Sequence, residues 1–210
     1  MRLALVLPAC LLLAACQLSG EAPSPAPLTR LHGELGVENG QAWLQPCEQS
    51  RRLPLTVGES GLLREAAQLG APARRLYADL DGRSQGDAFH VEYVYRLDGE
   101  SHGCDDPNRR LLILRASGHE PDWHLLLNRH GLVLERPGQE PLALPYLEET
   151  LPGGSYVFSS EADGRKLELW VAPQRCIDSA TGGVWHLQAT LTLDDQQLRG
   201  CAALGGARER

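Results

Sequence analysis

Lysine is nearly missing from this chain. Of its 20 basic residues only Lys166 is lysine; the others are arginine. With abundant alanine, glycine, leucine and proline, that bias is the imprint of a GC-rich genome and not of arginine-specific chemistry. No C-x-x-C pair occurs, which argues against a zinc ribbon and against a thioredoxin-like redox motif. No S-x-x-K is present, so one common serine-hydrolase signature is excluded. A phosphate-binding glycine loop is also missing, since Gly153-Gly154 and Gly182-Gly183 read as turns. No internal repeat stands out. The apolar run Leu3 to Leu12 stops well short of the roughly 20 residues that a membrane-spanning helix needs.

What is present begins at the N-terminus. Met1-Arg2 is a short charged start, and after the apolar run Leu13-Ala14-Ala15-Cys16 sets small residues before a cysteine. That order is a secretory signal. Its last four residues resemble a bacterial lipobox. The resemblance implies cleavage before Cys16 and several acyl chains on Cys16, which anchor the protein stably to a membrane without a spanning segment. Gln17 follows. Lipoproteins held at the inner membrane typically carry Asp there, so the expected location is the outer membrane, facing the periplasm. Residues 1–15 are therefore read as signal peptide, and 16–29 as lipidated cysteine and tether. Pro23, Pro25 and Pro27 lie there between small residues, a composition that favours extended, solvated chain.

Six cysteines are present. Cys10 lies in the signal and Cys16 takes the lipid. Cys47, Cys104, Cys176 and Cys201 remain, an even number that in an oxidising compartment reads as two disulfides. Signal removal takes away Arg2 and leaves 19 basic against 27 acidic residues, a net charge of −8. Such a chain suits neither nucleic acid nor an anionic lipid surface.

Residues 30–105 are expected to form one domain, with a boundary in the polar stretch Gly103 to Arg110. Leu31 to Val37 and Gln41 to Leu44 flank Asn39-Gly40, which supplies the positive φ angles of a tight hairpin. Leu53, Leu55 and Val57 alternate as in a strand. Ser60 is a candidate cap for a helix whose face is Leu62, Leu63, Ala66, Ala67 and Leu69, and Gly70 can end it. Leu76, Ala78 and Leu80 alternate again, and Phe89, Val91, Tyr93, Tyr95 and Leu97 give the clearest strand. Five strands with a helix after the third predict a small OB-like barrel. Leu31-His-Gly-Glu, Asn39-Gly40, Gln45-Pro-Cys47, Leu62-Leu63 and Leu80-Asp-Gly82 resemble the C-terminal OB domain of NlpE-type lipoproteins over about residues 30–98. The N-terminal barrel of that family, with its C-x-x-C, has no counterpart here, so its copper and stress chemistry is carried to no residue. Residues 30–104 hold 8 basic and 11 acidic side chains. Phe89, Tyr93 and Tyr95 share a strand face with Val91, so they read as core and not as a base-stacking platform.

Within residues 106–210, Leu111 to Ala116, Trp123 to Asn128, Leu132 to Arg136, Pro141 to Leu144, Tyr156 to Ser160, Lys166 to Ala172, Trp185 to Leu193 and Gln197 to Cys201 read as about eight short strands, punctuated by glycine and Asp-Asp turns. That pattern predicts an antiparallel barrel or sandwich, so the whole chain is expected to be mostly β. Ala116-Ser-Gly-His-Glu-Pro-Asp-Trp123 resembles the Ala-x-Gly-Asn-Glu-Pro-x-Trp signature of a family of uncharacterised envelope lipoproteins. Cys176-Ile-Asp-Ser-Ala-Thr-Gly182 and Leu198-Arg-Gly-Cys-Ala202 resemble its paired C-x-D-x-M-S-G and G-C-A motifs. His119 stands in place of Asn, and Ala180 in place of Met. His119, Glu120, Trp123 and Asp178 are thereby the candidate ligand or motif-loop residues. The expected disulfides are Cys47–Cys104 and Cys176–Cys201: each pair falls within one proposed domain or at its edge, and the second pair sits in the matching motifs. Four cysteines allow two other pairings.

His119-Glu-Pro-Asp-Trp-His124 is not a metalloprotease helix, because its histidines are five apart and Pro121 breaks a helix. His102, Cys104 and Asp106 carry metal-ligand chemistry only if Cys104 is a free thiolate. No metal or other cofactor is expected. The acidic pairs Glu148-Glu149 and Asp194-Asp195 place neighbours on opposite strand faces and are not preset for acid–base work. The expected function is that of a non-enzymatic outer-membrane lipoprotein that presents two β domains to the periplasm. It would bind a protein, glycan or lipid partner in envelope maintenance or stress response. One alternative is a periplasmic enzyme inhibitor of the lysozyme type. Another is an envelope hydrolase, with no motif assigned to it.

Overall fold

The computed structural model describes residues 26–99 and 103–208. Cys16, His102 and the signal segment lie outside the described residues. Among the described residues sixteen strands build two sheets, accompanied by one short α-helix.

The first sheet begins with β1 (Thr29–Glu38), β2 (Gln41–Pro46) and β3 (Leu53–Thr56). Asn39 and Gly40 turn β1 into β2 with φ of 52° and 77°, the conformation that Asn-Gly favours. Helix α1 (Leu62–Gln68) follows, then β4 (Leu76–Gln85) and β5 (Ala88–Asp98). The helix is capped by Gly61 in the left-handed region and not by Ser60. The Ser60 hydroxyl instead donates to the Val57 carbonyl. β1 pairs with β2 and β4, β2 with β3, and β3 runs parallel to β5. β4 also pairs with β5, which closes the ring of five strands around Leu35, Leu44, Leu62, Leu80 and Phe89. This is the connectivity of an OB-like barrel.

One expectation for β5 fails. Phe89 and Val91 are buried, but Tyr93 is 46% exposed and Tyr95 is half-buried. The cause is two register shifts against β4. Asp81 faces Tyr93 while Gly82 faces Val91, and Asp79 faces Arg96 while Leu80 faces Val94. Each shift inserts one extra residue in β5 and flips the alternation. Val94 and Leu97 therefore take up the core, and both tyrosines turn outward.

The second sheet holds β6 (Leu112–His119), β7 (Asp122–Asn128), β8 (Gly131–Glu135), β9 (Leu142–Leu144), β10 (Leu147–Leu151), β11 (Ser155–Ala162) and β12 (Arg165–Ala172). β15 (Leu187–Leu193) and β16 (Gln196–Leu204) complete its nine antiparallel strands in the order β10-β11-β12-β15-β16-β6-β7-β8-β9. The outermost strands, β9 and β10, are joined by Pro145 and Tyr146 alone. Three peptide steps span at most about 10 Å, so the sheet must curl until its edges approach. It forms a half-barrel filled by Leu114, Trp123, Leu125, Phe158, Leu169 and Leu191.

After β12 the chain returns to the first sheet and then leaves it again for β15. β13 (Cys176–Ile177) and β14 (Val184–Trp185) form a hairpin, and β14 pairs with β5 of the first sheet. The single strand expected from Trp185 to Leu193 is thus split at His186, whose N–H donates to the Tyr95 carbonyl. Both disulfides form, with Cα–Cα distances of 5.1 Å for Cys47–Cys104 and 5.5 Å for Cys176–Cys201. Because β13 belongs to the first sheet and β16 to the second, Cys176–Cys201 staples the two sheets together. The sequence had placed both ends of this bridge within residues 106–210.

Candidate functional site

The β6–β7 turn and the β13–β14 loop come from motifs 59 positions apart, and they meet. Asp178 is 5% exposed. One of its carboxylate oxygens accepts the Ala180 N–H at 3.1 Å, the Thr181 N–H at 2.9 Å and the Thr181 hydroxyl at 3.0 Å. An aspartate at this position therefore builds the loop, in the manner of an Asx turn. Its other oxygen lies 3.0 Å from His119 Nε2, while His119 Nδ1 lies 3.1 Å from Asp122. A neutral imidazole donates to one of these carboxylates; only the doubly protonated ring donates to both. Histidine thus suits this position through contacts of its own.

The other two expected motif residues act differently. Glu120 is exposed in the β6–β7 turn. Trp123 is fully buried, and its indole N–H donates to the Arg199 carbonyl at 3.3 Å. A Cβ on Gly118 would stand 2.4 Å from the indole nitrogen, and one on Gly200 would stand 2.8 Å from the ring. Gly118, Trp123 and Gly200 are one packing unit of the core.

His119 and Asp178 border a cleft of about 480 Å³ between the outer face of β6–β7 and the β5–β14 edge of the first sheet. Its other lining residues include Arg96, Asp98, Asp106, Arg115, Glu135 and Trp185. Arg96 Nε lies 2.6 Å from an Asp98 carboxylate oxygen, and the guanidinium stacks 4.4 Å above the Trp185 ring. Arg115 pairs with Asp106. Burial, and then the nearby Arg96 charge, hold Arg115 below its ordinary value. Trp185 is 6% exposed, and among the described residues its indole nitrogen has no hydrogen-bond partner. A second hollow of about 540 Å³, beside Tyr146, Leu147 and Lys166, contains none of the motif residues.

Sequence reasoning did not find Arg96, Arg115 or Trp185. Their signal was faint: Arg96 and Asp98 are charges at the end of a strand that otherwise reads as core, just before the polar break. Sequence reasoning also passed over Gly99-Glu-Ser-His-Gly103, which has G-x-S-x-G spacing. That motif needs a strand-to-helix elbow, whereas the next described element after β5 is a 3-10 turn at Gly103–Asp105. Its three central residues lie outside the described residues. Of the candidate metal ligands, Cys104 is in a disulfide and Asp106 is paired with Arg115. No family model, curated protein or solved structure matches the chain.

Proposed function

We propose that this chain is a lipid-anchored outer-membrane lipoprotein that faces the periplasm. It works without catalysis and binds an envelope partner in the cleft between its two sheets. The observation that carries the reading is the meeting of His119 and Asp178, which brings the two motif segments side by side at one cleft. The address rests on the Cys16 motif. Two disulfides joining all four remaining cysteines agree with an oxidising compartment. Among the described residues no helix is long and apolar enough to cross a membrane.

The test is site-specific photocrosslinking in intact envelopes. One probe replaces Asn108, exposed at the cleft rim, and a control probe replaces Glu149, exposed on edge strand β10. A product specific to position 108 supports the reading, and identical products at both positions refute it. A peptidoglycan synthase or assembly factor in that product favours a scaffold. A lysozyme favours the second reading, a periplasmic inhibitor, which the net charge of −8 left after signal removal (19 basic against 27 acidic residues) suits against a basic enzyme.

A further inference from the structure

We infer that the cleft takes a neutral, hydroxyl-rich ligand, a saccharide segment, and holds it by hydrogen bonds and not by ring stacking. This inference rests on the proposed binding role of the cleft and names the ligand class. Four carboxylates line the space, on Asp98, Asp106, Asp178 and Glu135, against the two guanidiniums of Arg96 and Arg115 and the imidazoles of His119 and His124. An anion would face that excess of negative charge in a half-enclosed cleft, where repulsion is poorly screened. A cation would meet Arg96 and Arg115 and would offer no acceptor to the Trp185 N–H, a buried donor that lacks one. An apolar ligand would strip water from every one of these groups and return no hydrogen bond.

A sugar hydroxyl both donates and accepts. It can therefore bond both the carboxylate and the guanidinium side of the Arg96–Asp98 and Arg115–Asp106 pairs that border the cleft. The cleft volume falls within the ~300–1,000 Å³ usual for small-ligand sites. The stacking mode is closed, because Arg96 already covers the Trp185 ring at 4.4 Å and the residue is 6% exposed. Its N–H edge is the part left without a partner. Gly183 keeps that edge uncrowded. A Cβ there would lie 3.1 Å from Thr181 Oγ1 and 3.3 Å from both Asp98 Cβ and Trp185 Nε1. The Gly183 backbone has no positive φ, so alanine fits the backbone and crowds Thr181 Oγ1, Asp98 and the Trp185 N–H edge.

The experiment follows the Trp185 indole resonance of the full chain in detergent micelles, assigned by its loss in Trp185→Phe. The probes are tetra-N-acetylchitotetraose and maltotetraose, both neutral, with triglutamate as the anion and spermidine as the cation. The expected result is a saturable shift with a neutral tetrasaccharide that weakens at least tenfold in Gly183→Ala. Silence with both saccharides overturns the inference, as does a shift that Gly183→Ala leaves unchanged. Saturation by triglutamate or spermidine alone would refute the saccharide class yet leave a binding cleft standing. Silence with all four probes, together with no specific crosslink from position 108, would remove the binding role as well.

Discussion

Acid should loosen this fold through one histidine, His186, before the carboxylates contribute. His186 is 5% exposed at the point where the chain leaves the first sheet for the second. Its ring lies 4.6 Å from Tyr95 and 6.4 Å from Tyr93. Its Nδ1 reaches the Tyr95 carbonyl at 3.1 Å and so carries the proton of the neutral ring. Its Nε2 is buried without a partner among the described residues. Burial lowers its pKa from 6.5 to about 3; the Tyr95 carbonyl bond opposes this, and the Arg30 charge adds to it. Unfolded, the residue takes up a proton near pH 6.5; folded, it does so only near 3. Between those values acid protonates the unfolded chain preferentially, so stability is complete above about pH 6.5 and declines as pH falls. At about 1.4 kcal/mol per unit, the loss by pH 5 is about 2 kcal/mol.

Urea unfolding of the oxidised protein at pH 7 and pH 5, followed by tryptophan fluorescence, reads that loss directly. His186→Phe keeps a ring beside Tyr95 and removes the titration. Its stability difference between the two pH values should be about 2 kcal/mol smaller than that of the wild type. His186→Gln serves if the larger ring fails to pack. Glu48 separates from this effect by its window. Its bonds to Arg110 and Arg109 hold its pKa at about 2, so its contribution is lost only as pH falls below its ordinary value of 4.5. Equal losses between pH 7 and pH 5 in wild type and variant would refute the assignment to His186.

Four further outcomes are expected. Cys16→Ser should move the protein out of the membrane fraction and abolish palmitate labelling; membrane retention of the variant would end the anchor proposal. Gly118→Ala forces a Cβ to within 2.2 Å of the Arg199 carbonyl and 2.4 Å of the Trp123 indole, and a thermal melt should show a loss of about 1–3 kcal/mol. Replacing Cys176 and Cys201 together by serine opens a bridge across 25 positions, which chain entropy puts at about 3.5 kcal/mol; chemical denaturation measures it. Asp178→Ala leaves the Ala180 and Thr181 N–H groups without their acceptor. It should cost about 1–3 kcal/mol and remove the crosslink from position 108.

Much of the barrel was legible because local chemistry and burial agree there. Asn39-Gly40 supplies the turn it predicts, and Leu53 to Val57 alternates as far as β3 extends. The failures have identifiable causes. β10 shows no alternation because it is an edge strand whose residues Leu147 to Thr150 are all exposed. The two bulges in β5 depend on its register with β4, which no single strand encodes, so Tyr93 and Tyr95 read as core. The hairpin at β13–β14 is two residues per strand, too short for a period, and its partner β5 lies some ninety positions earlier. The site shares that difficulty. Asp178 and His119 could be named from their motifs, but that one faces the other is a long-range fact.

The return of β13–β14 to the first sheet decides what kind of cleft this is. One wall, with His119 and Arg115, belongs to the half-barrel; the other, with Asp178 and Trp185, belongs to the first sheet. Two walls on separate domains would ordinarily be free to move relative to each other. Here Cys176–Cys201 ties the hairpin to β16, and β14 runs through His186 directly into β15. Polar contacts reinforce the tie elsewhere. Arg30 bonds Asp79 of its own barrel and the Leu204 carbonyl of β16, and Glu48 receives Arg109 and Arg110 from the segment that leads into β6. The Cys47–Cys104 bridge fixes the start of that same segment beside β2. The two disulfides hold the walls in place in the absence of any ligand, so the binding proposed for this cleft would carry little ordering cost. The crossing points of the chain, more than either sheet alone, make the cleft.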